Sequence, residues 1–216
     1  IFLQMKNENM PCGDALVESL LKLFYRKRDF ASAKRILSSC EQVHSNFITS
    51  LIQNSMKTSV LLAVSYTEDF AKRNIFPSDD ILKHLLSANS KEDPHKGLSI
   101  FDCMIKKKMD VLSTSYVSLV QGFTDHRDGS QLFTKFMNLL NQNLPPYKVK
   151  KMQWKIESHL IVEPNKFLRL YKPISKDLTI RLNNVQPFFD ICEENLYFKD
   201  AFEGYLLFGF DNSGNR

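Results

Sequence analysis

The chain has few of the residues that interrupt regular secondary structure: its 216 residues include only seven glycines and eight prolines. This scarcity favours long regular elements over a loop-rich fold. The four cysteines, Cys12, Cys40, Cys103 and Cys192, are far apart and form no Cys-x-x-Cys pair. Such spacing disfavours a zinc site or a disulfide framework, and it is typical of buried thiols in a reducing compartment. No run of about 18 apolar residues is present, so no membrane span is predicted.

The charge is too mild to identify a partner. A formal net charge of +5 permits an acidic ligand, but many proteins of this size without one carry as much. Hydrophobic residues make up 43% of the chain and charged residues 25%, which is ordinary for a folded globular protein. Because the sequence opens with Ile1, we expect a fragment or a processed form. The location is unknown beyond a reducing intracellular compartment, mitochondrial or cytoplasmic, which the cysteine spacing favours.

A recurring spacing is the most specific feature of the sequence. Four times a small residue is followed at +3, and nearly always at +4 and +7, by bulky apolar residues. The small residues are Ala33, Ala63, Gly97 and Gly129, at intervals of 30, 34 and 32 residues. A small side chain ahead of an apolar stripe is what two helices need where they cross closely. Recurrence near 34 residues predicts a solenoid of stacked helix pairs.

The pattern predicts a mainly α fold, a right-handed α-solenoid of about four helical hairpins with a small C-terminal α+β cap. The hairpins are 33 to 35 residues long. The predicted segments are an N-terminal extension at 1–9, hairpins at 10–42, 43–77, 78–112 and 113–146, the α+β region at 147–210 and a disordered tail at 211–216. Short apolar or alternating runs such as 159–162, 167–171 and 178–182, bounded by prolines and asparagines, indicate strands in the α+β region.

The helical units resemble pentatricopeptide repeats, the roughly 35-residue helix pairs of organellar RNA-binding proteins. The resemblance spans 10–146 and is clearest in the fourth unit, with Tyr116-x-x-Leu119-Val120-x-Gly122-Phe123 and then Gly129-x-x-Leu132-Phe133-x-x-Phe136-Met137. Gly97 to Met104 follows the same second-helix pattern. As a pattern it is degenerate, and tetratricopeptide or other helical-hairpin solenoids are the alternative.

Membership would imply single-stranded RNA along the first helices, with one base read per repeat. In this family, base reading relies on a polar residue just after the tyrosine position of each first helix, paired with the last residue of the repeat. On this alignment those places hold Leu82 and Val117 in the first helices, and Pro77 and Leu112 at the repeat ends. None of these can hydrogen-bond a base, although a shift of one residue brings in Ser118. The resemblance therefore implies weak sequence selectivity.

Basic residues provide candidate RNA contacts through phosphates, and the single tryptophan provides a stacking surface. The candidate residues are Arg26, Lys27, Arg28, Lys83, Lys106, Lys107, Ser118, Lys148, Lys151 and Trp154. Two alternatives remain. Lysine and arginine also occur at solvated helix C-termini, where they complement the helix dipole. A lone tryptophan in an apolar segment is often packed inside a core.

Catalytic chemistry is not indicated. The five histidines show no metal-ligand spacing, and His126 falls in a predicted turn, where polar residues are expected anyway. No phosphate-binding loop or nucleophile elbow is present, so no cofactor, metal or small-molecule substrate is predicted. Two functions follow as hypotheses. The first is a non-catalytic module that binds single-stranded RNA, and the second is a scaffold that binds a partner helix or peptide in its groove.

Overall fold

A computed structural model describes residues 14–40, 43–171 and 185–208. These residues form twelve helices and no strand, which confirms the prediction of a mainly α fold. The predicted extension at 1–9, the tail at 211–216 and the predicted strand at 178–182 lie outside the described residues. The helices are α1 Asp14–Arg26, α2 Phe30–Ser39, α3 Ser45–Met56, α4 Val60–Ala71, α5 Asp79–Asn89, α6 Pro94–Lys106, α7 Ser113–Asp125, α8 Gly129–Asn143, α9 Pro146–Leu160, α10 Pro164–Tyr171, α11 Val185–Glu194 and α12 Phe198–Phe208.

Two helices fall inside each of the four predicted hairpin units, and helix pairs continue beyond Pro146. The predicted strands at 159–162 and 167–171 are wrong, because the first run lies at the end of α9 and in the following turn and the second lies in α10. Pro146 and Pro164 are the first residues of these helices. Proline suits that position, since its fixed φ is helical and its missing N–H has no helical partner there.

The chain divides into two compact units. The first contains the described residues up to Ala88 together with Ser99–Met109, and the second contains Asn89–Leu98 and the described residues from Asp110 onward. In the first unit, α1 packs against α2 and α3, and α3 packs against α4. In the second, α7 packs against α8, α9 and α10. In the described part of the chain, no helix is long and apolar enough to cross a membrane.

The small residues of the repeat pattern lie where helices pack closely. Ala33, Ala63 and Gly97 are buried, and each is the fourth residue of the second helix of its unit. Gly129 differs, because it is the first residue of α8. A Cβ on Gly129 would lie 1.9 Å from the carbonyl oxygen of Phe123 at the end of α7. The fourth glycine therefore permits a tight turn within one helix pair.

Four helices end in the same way without glycine. Two or three residues after the ends of α1, α4, α6 and α11, one residue adopts a left-handed φ of 55 to 59°. In each case the next amide reaches back to a carbonyl five residues earlier, as Asp29 does to Phe24 at 2.9 Å. The four left-handed residues are Arg28, Asn74, Lys108 and Leu196.

Candidate nucleic-acid interface

Helix α9 has one buried face and one solvent face. Val149, Ile156 and Leu160 are buried and share one side of the helix, since they are seven and four residues apart. This side faces α7, α8 and α10, the helices on which α9 packs. Of the remaining positions of α9, Glu157 is also buried and the others are exposed or half-buried.

The solvent face of α9 combines aromatic and basic side chains. Tyr147, Lys151 and Trp154 lie at i, i+4 and i+7, so they form one row along the helix. Tyr147 is 69% exposed and Trp154 is 44% exposed. The two residues are about 10 Å apart along the helix axis, at 1.5 Å per residue. The expectation that the tryptophan packs inside a core is therefore wrong.

Lysines flank this aromatic row. Lys148, Lys151 and Lys155 follow one edge at i, i+3 and i+7, and Lys150 lies on the other edge. Among the residues that the structure describes, no carboxylate forms an ion pair with any of these four lysines. The Nζ of Lys155 is 5.0 Å from the centre of the Trp154 ring. This distance is that of a cation–π contact. We name Tyr147, Lys148, Lys150, Lys151, Trp154 and Lys155 the α9 surface.

The single acidic residue of α9 does not belong to this exposed surface. Glu157 is fully buried and accepts a hydrogen bond from Nε2 of Gln153 at 2.8 Å. Tyr171 on α10 is also buried; its pKa is raised well above its usual value, first by burial and then by the charge of Glu157. The four positive charges of the helix therefore face solvent while its one carboxyl group faces inward.

Three other predicted candidates have carboxylate partners. The Nζ of Lys83 is 3.6 Å from Asp80, and the Nζ of Lys106 is 2.6 Å from Asp102. The hydrogen bond to Asp102 raises the pKa of Lys106. Lys107 contacts Asp79 at 2.7 Å and donates to the carbonyl of Pro77 at 2.6 Å. A phosphate would have to compete with each of these contacts.

The remaining candidates do not join the α9 surface. Arg26, Lys27 and Arg28 are exposed at the C-terminal end of α1, and Arg28 is one of the left-handed residues. This is the helix-end role that the alternative interpretation gave them. Ser118 is half-buried on α7. Of the predicted residues, the structure brings together Lys148, Lys151 and Trp154.

Three members of the α9 surface were missing from the predicted candidates: Tyr147, Lys150 and Lys155. Their signal is the i, i+4, i+7 spacing of Tyr147, Lys151 and Trp154. It is visible only if 147–160 is treated as one helix, whereas this segment is predicted only as part of an α+β region.

A second exposed surface lies on α12. Phe198, Phe202, Tyr205 and Leu206 occupy one face at i, i+4, i+7 and i+8, and each is at least 51% exposed. An apolar row of this kind is typical of an interaction surface rather than of a solvated helix.

Comparison of the chain with protein-family models gives no match, and comparison with curated proteins gives none. Its function must therefore be argued from its own residues.

Proposed function

We propose that this chain is a non-catalytic helical-repeat module that binds single-stranded RNA with weak sequence selectivity, and that the α9 surface is the contact site. The observation that carries the proposal is the exposed Trp154 within a row of lysines that lack carboxylate partners in the described structure. The lysines attract phosphates, and the tryptophan and Tyr147 stack bases. Every base has a stacking face, so this mode does not depend on sequence.

Two observations support weak selectivity. Leu82 is fully buried and Val117 is 6% exposed, so neither side chain reaches a base from the positions that read sequence in pentatricopeptide repeats.

The helix packing supports the repeat architecture that we propose, an α-solenoid. In each unit, the first helix of one pair contacts the first helix of the following pair once: α1 contacts α3, and α7 contacts α9.

Tryptophan fluorescence provides a direct test, because Trp154 is the single tryptophan of the chain. We expect oligouridylate to quench this fluorescence as it stacks on the ring, in a titration repeated at several salt concentrations. If all four lysines of the α9 surface contact phosphates, the logarithm of the association constant falls with the logarithm of the salt concentration at a slope of about −2.8. Affinity then decreases about 50-fold between 50 and 200 mM salt.

Matched variants locate the site. Replacing Lys148 and Lys151 by Glu removes two contacts and reduces the slope to about −1.4. The control is Lys22→Glu plus Lys72→Glu, which changes the net charge equally on α1 and after α4. Trp154→Phe retains stacking, whereas Trp154→Leu removes it and lowers affinity by about 1–3 kcal/mol; both are monitored by anisotropy of labelled RNA. Absence of binding at low salt, or equal losses in both lysine pairs, would exclude this site.

The exposed face of α12 favours a second candidate function, a protein-interaction scaffold. Its aromatic and leucine side chains suit an apolar groove or helix on a partner. A photo-crosslinking amino acid at position 202 tests this, with position 61 as the control because Leu61 is a single exposed apolar residue, 56% accessible. Specific cross-links from position 202 alone support the scaffold. Equal labelling from both positions counts against it.

A further inference from the structure

A cluster of two histidines and one carboxylate lies in the second unit, apart from the α9 surface. His95 is the second residue of α6, and His126 and Asp128 lie in the turn between α7 and α8. Nε2 of His95 is 3.7 Å from Oδ2 of Asp128, and the two imidazole rings meet edge to face with centres 5.1 Å apart. One ligand atom from each residue lies within 4.8 Å of the other two.

Asp128 differs from the residues that precede the second helices of the other three pairs. In α2, α4 and α6, the residue before the helix caps it: Asp29, Ser59 and Asp93 accept hydrogen bonds from amides three residues later, at 3.0 to 3.3 Å. Asp128 precedes α8 in the same way, but its side chain makes no capping bond. Its carboxylate faces His95 instead.

The turn that presents His126 and Asp128 is fixed by backbone contacts. The guanidinium of Arg169 on α10 donates to the carbonyls of Thr124 and His126, at 3.3 and 3.2 Å. The amide of Gly129 also donates to the carbonyl of His126, at 3.1 Å. The three side chains remain partly exposed, so an ion has access from solvent.

We propose that His95, His126 and Asp128 bind one divalent transition-metal ion, with Zn²⁺ the best fit. Two imidazoles and one carboxylate match zinc sites that keep a fourth position for water, whereas Mg²⁺ and Ca²⁺ take oxygen ligands. Bonds of about 2.1 Å in tetrahedral geometry place ligand atoms about 3.4 Å apart. The carboxylate and His95 nearly satisfy this spacing, and His126 closes the remaining gap of up to about 1.4 Å by side-chain rotation.

One existing contact opposes the metal. The amide of Asp128 donates to Nδ1 of His126 at 3.2 Å, and this bond must be exchanged when His126 turns to the ion. A single long hydrogen bond of this kind lowers affinity by about fivefold. A site with three ligands tolerates that loss.

Cobalt and zinc titrations test the proposal. After treatment with a chelator, we expect one equivalent of Co²⁺ to give the visible absorption bands of a tetrahedral site, and Zn²⁺ to displace it and raise the thermal midpoint. His95→Ala, His126→Ala and Asp128→Asn should each weaken binding at least about tenfold. His159→Ala is the matched control, because this exposed histidine lies on α9 of the same unit.

Circular dichroism shows whether each variant keeps its helices, and Asp128→Asn preserves side-chain size if an alanine variant unfolds. A parent chain that does not bind Zn²⁺ at micromolar concentration overturns the proposal. So does binding that is unchanged in the three variants, since the ion would then lie elsewhere. The test is independent of RNA binding.

Discussion

Gly122 provides the sharpest test of how the second unit is packed. It lies in α7, and a Cβ built on it would be 1.8 Å from the carbonyl oxygen of Ser90 and 2.9 Å from its carbonyl carbon. Ordinary van der Waals contact begins at about 3.4 Å. Because the obstacle is backbone, no side-chain rotation relieves the clash, and Gly122→Ala must separate α7 from the turn after α5.

The expected loss of stability follows from two opposing effects. Overpacking of this severity costs about 3 kcal/mol, the upper end of its usual range. Replacing a helical glycine by alanine returns about 1 kcal/mol. The net loss is about 2 kcal/mol, which lowers the thermal midpoint of a chain of this size by about 4–8 °C. Urea unfolding followed by circular dichroism measures it.

Gly97→Ala is the matched control in the same unit. Its added Cβ would meet Cδ1 of Leu119 at 2.7 Å, and its next contacts begin at 3.4 Å. A terminal methyl group moves easily, so we expect this variant to lie within about 1 kcal/mol of the parent. If Gly122→Ala is as stable as Gly97→Ala, then α7 does not approach the Ser90 backbone as described, and the reasoning fails.

Three further predictions concern charge, thiol chemistry and helix ends. The hydrogen bond from Lys34 lowers the pKa of Asp69 in the folded chain. Ionised Asp69 therefore stabilises the fold above the pKa of about 3.9 that it has in the unfolded chain. This contribution is lost as the pH falls through the lower pKa of the folded chain. Urea unfolding should therefore show Asp69→Asn less stable than the parent at pH 7 and equal to it in strong acid, whereas a constant difference would contradict the assignment. Burial raises the pKa of the Cys103 thiol to about 12. In a Cys12→Ser background we therefore expect iodoacetamide at pH 8 to label the half-buried Cys40 first and Cys103 only on unfolding. Equal labelling rates of the two thiols in the folded chain would be inconsistent with this burial. Lys108 follows α6 with φ 59°, and Lys108→Gly should raise the free energy of unfolding by up to about 1 kcal/mol, whereas Lys108→Ala should not.

The helix pairs before Pro146 could be predicted because their apolar spacing has one interpretation. Ile36 and Leu37 follow the buried Ala33 at +3 and +4, and all three are nearly or fully inaccessible. Such spacing places side chains on one helical face and cannot do so on a strand. Local capping residues such as Asp29 and Ser59 agree with it.

Short runs after Pro146 have two interpretations, strand and helix, and the structure contains helices there. Phe167, Leu168, Leu170 and Tyr171 form a short apolar run interrupted by Arg169, which is compatible with a strand, but they also fit a wide helical face at i, i+1, i+3 and i+4. All four are buried in α10. Five residues are too few to separate the two periods. Pro164, which is compatible with the end of a strand, is the first residue of a helix.

The histidine cluster could not have been found from spacing. His95 and His126 are 31 residues apart, in different helix pairs. Their contact depends on how the start of α6 lies beside the turn after α7, both within the second unit. Nothing local to either histidine specifies that arrangement.

Ion pairing distinguishes lysines that stabilise the fold from lysines that are available to a ligand more clearly than their clustering in the sequence does. Lys107 holds Asp79 and the carbonyl of Pro77, so contact with a phosphate would release an interaction that joins the end of α6 to the start of α5. Lys151 has no such contact to give up among the described residues, and its charge is available to an anion at no structural cost. Lys107→Glu should therefore reduce stability without a specific change in RNA affinity, whereas Lys151→Glu should reduce affinity and leave stability unchanged. The reverse result would move the proposed contact from α9 to the first unit.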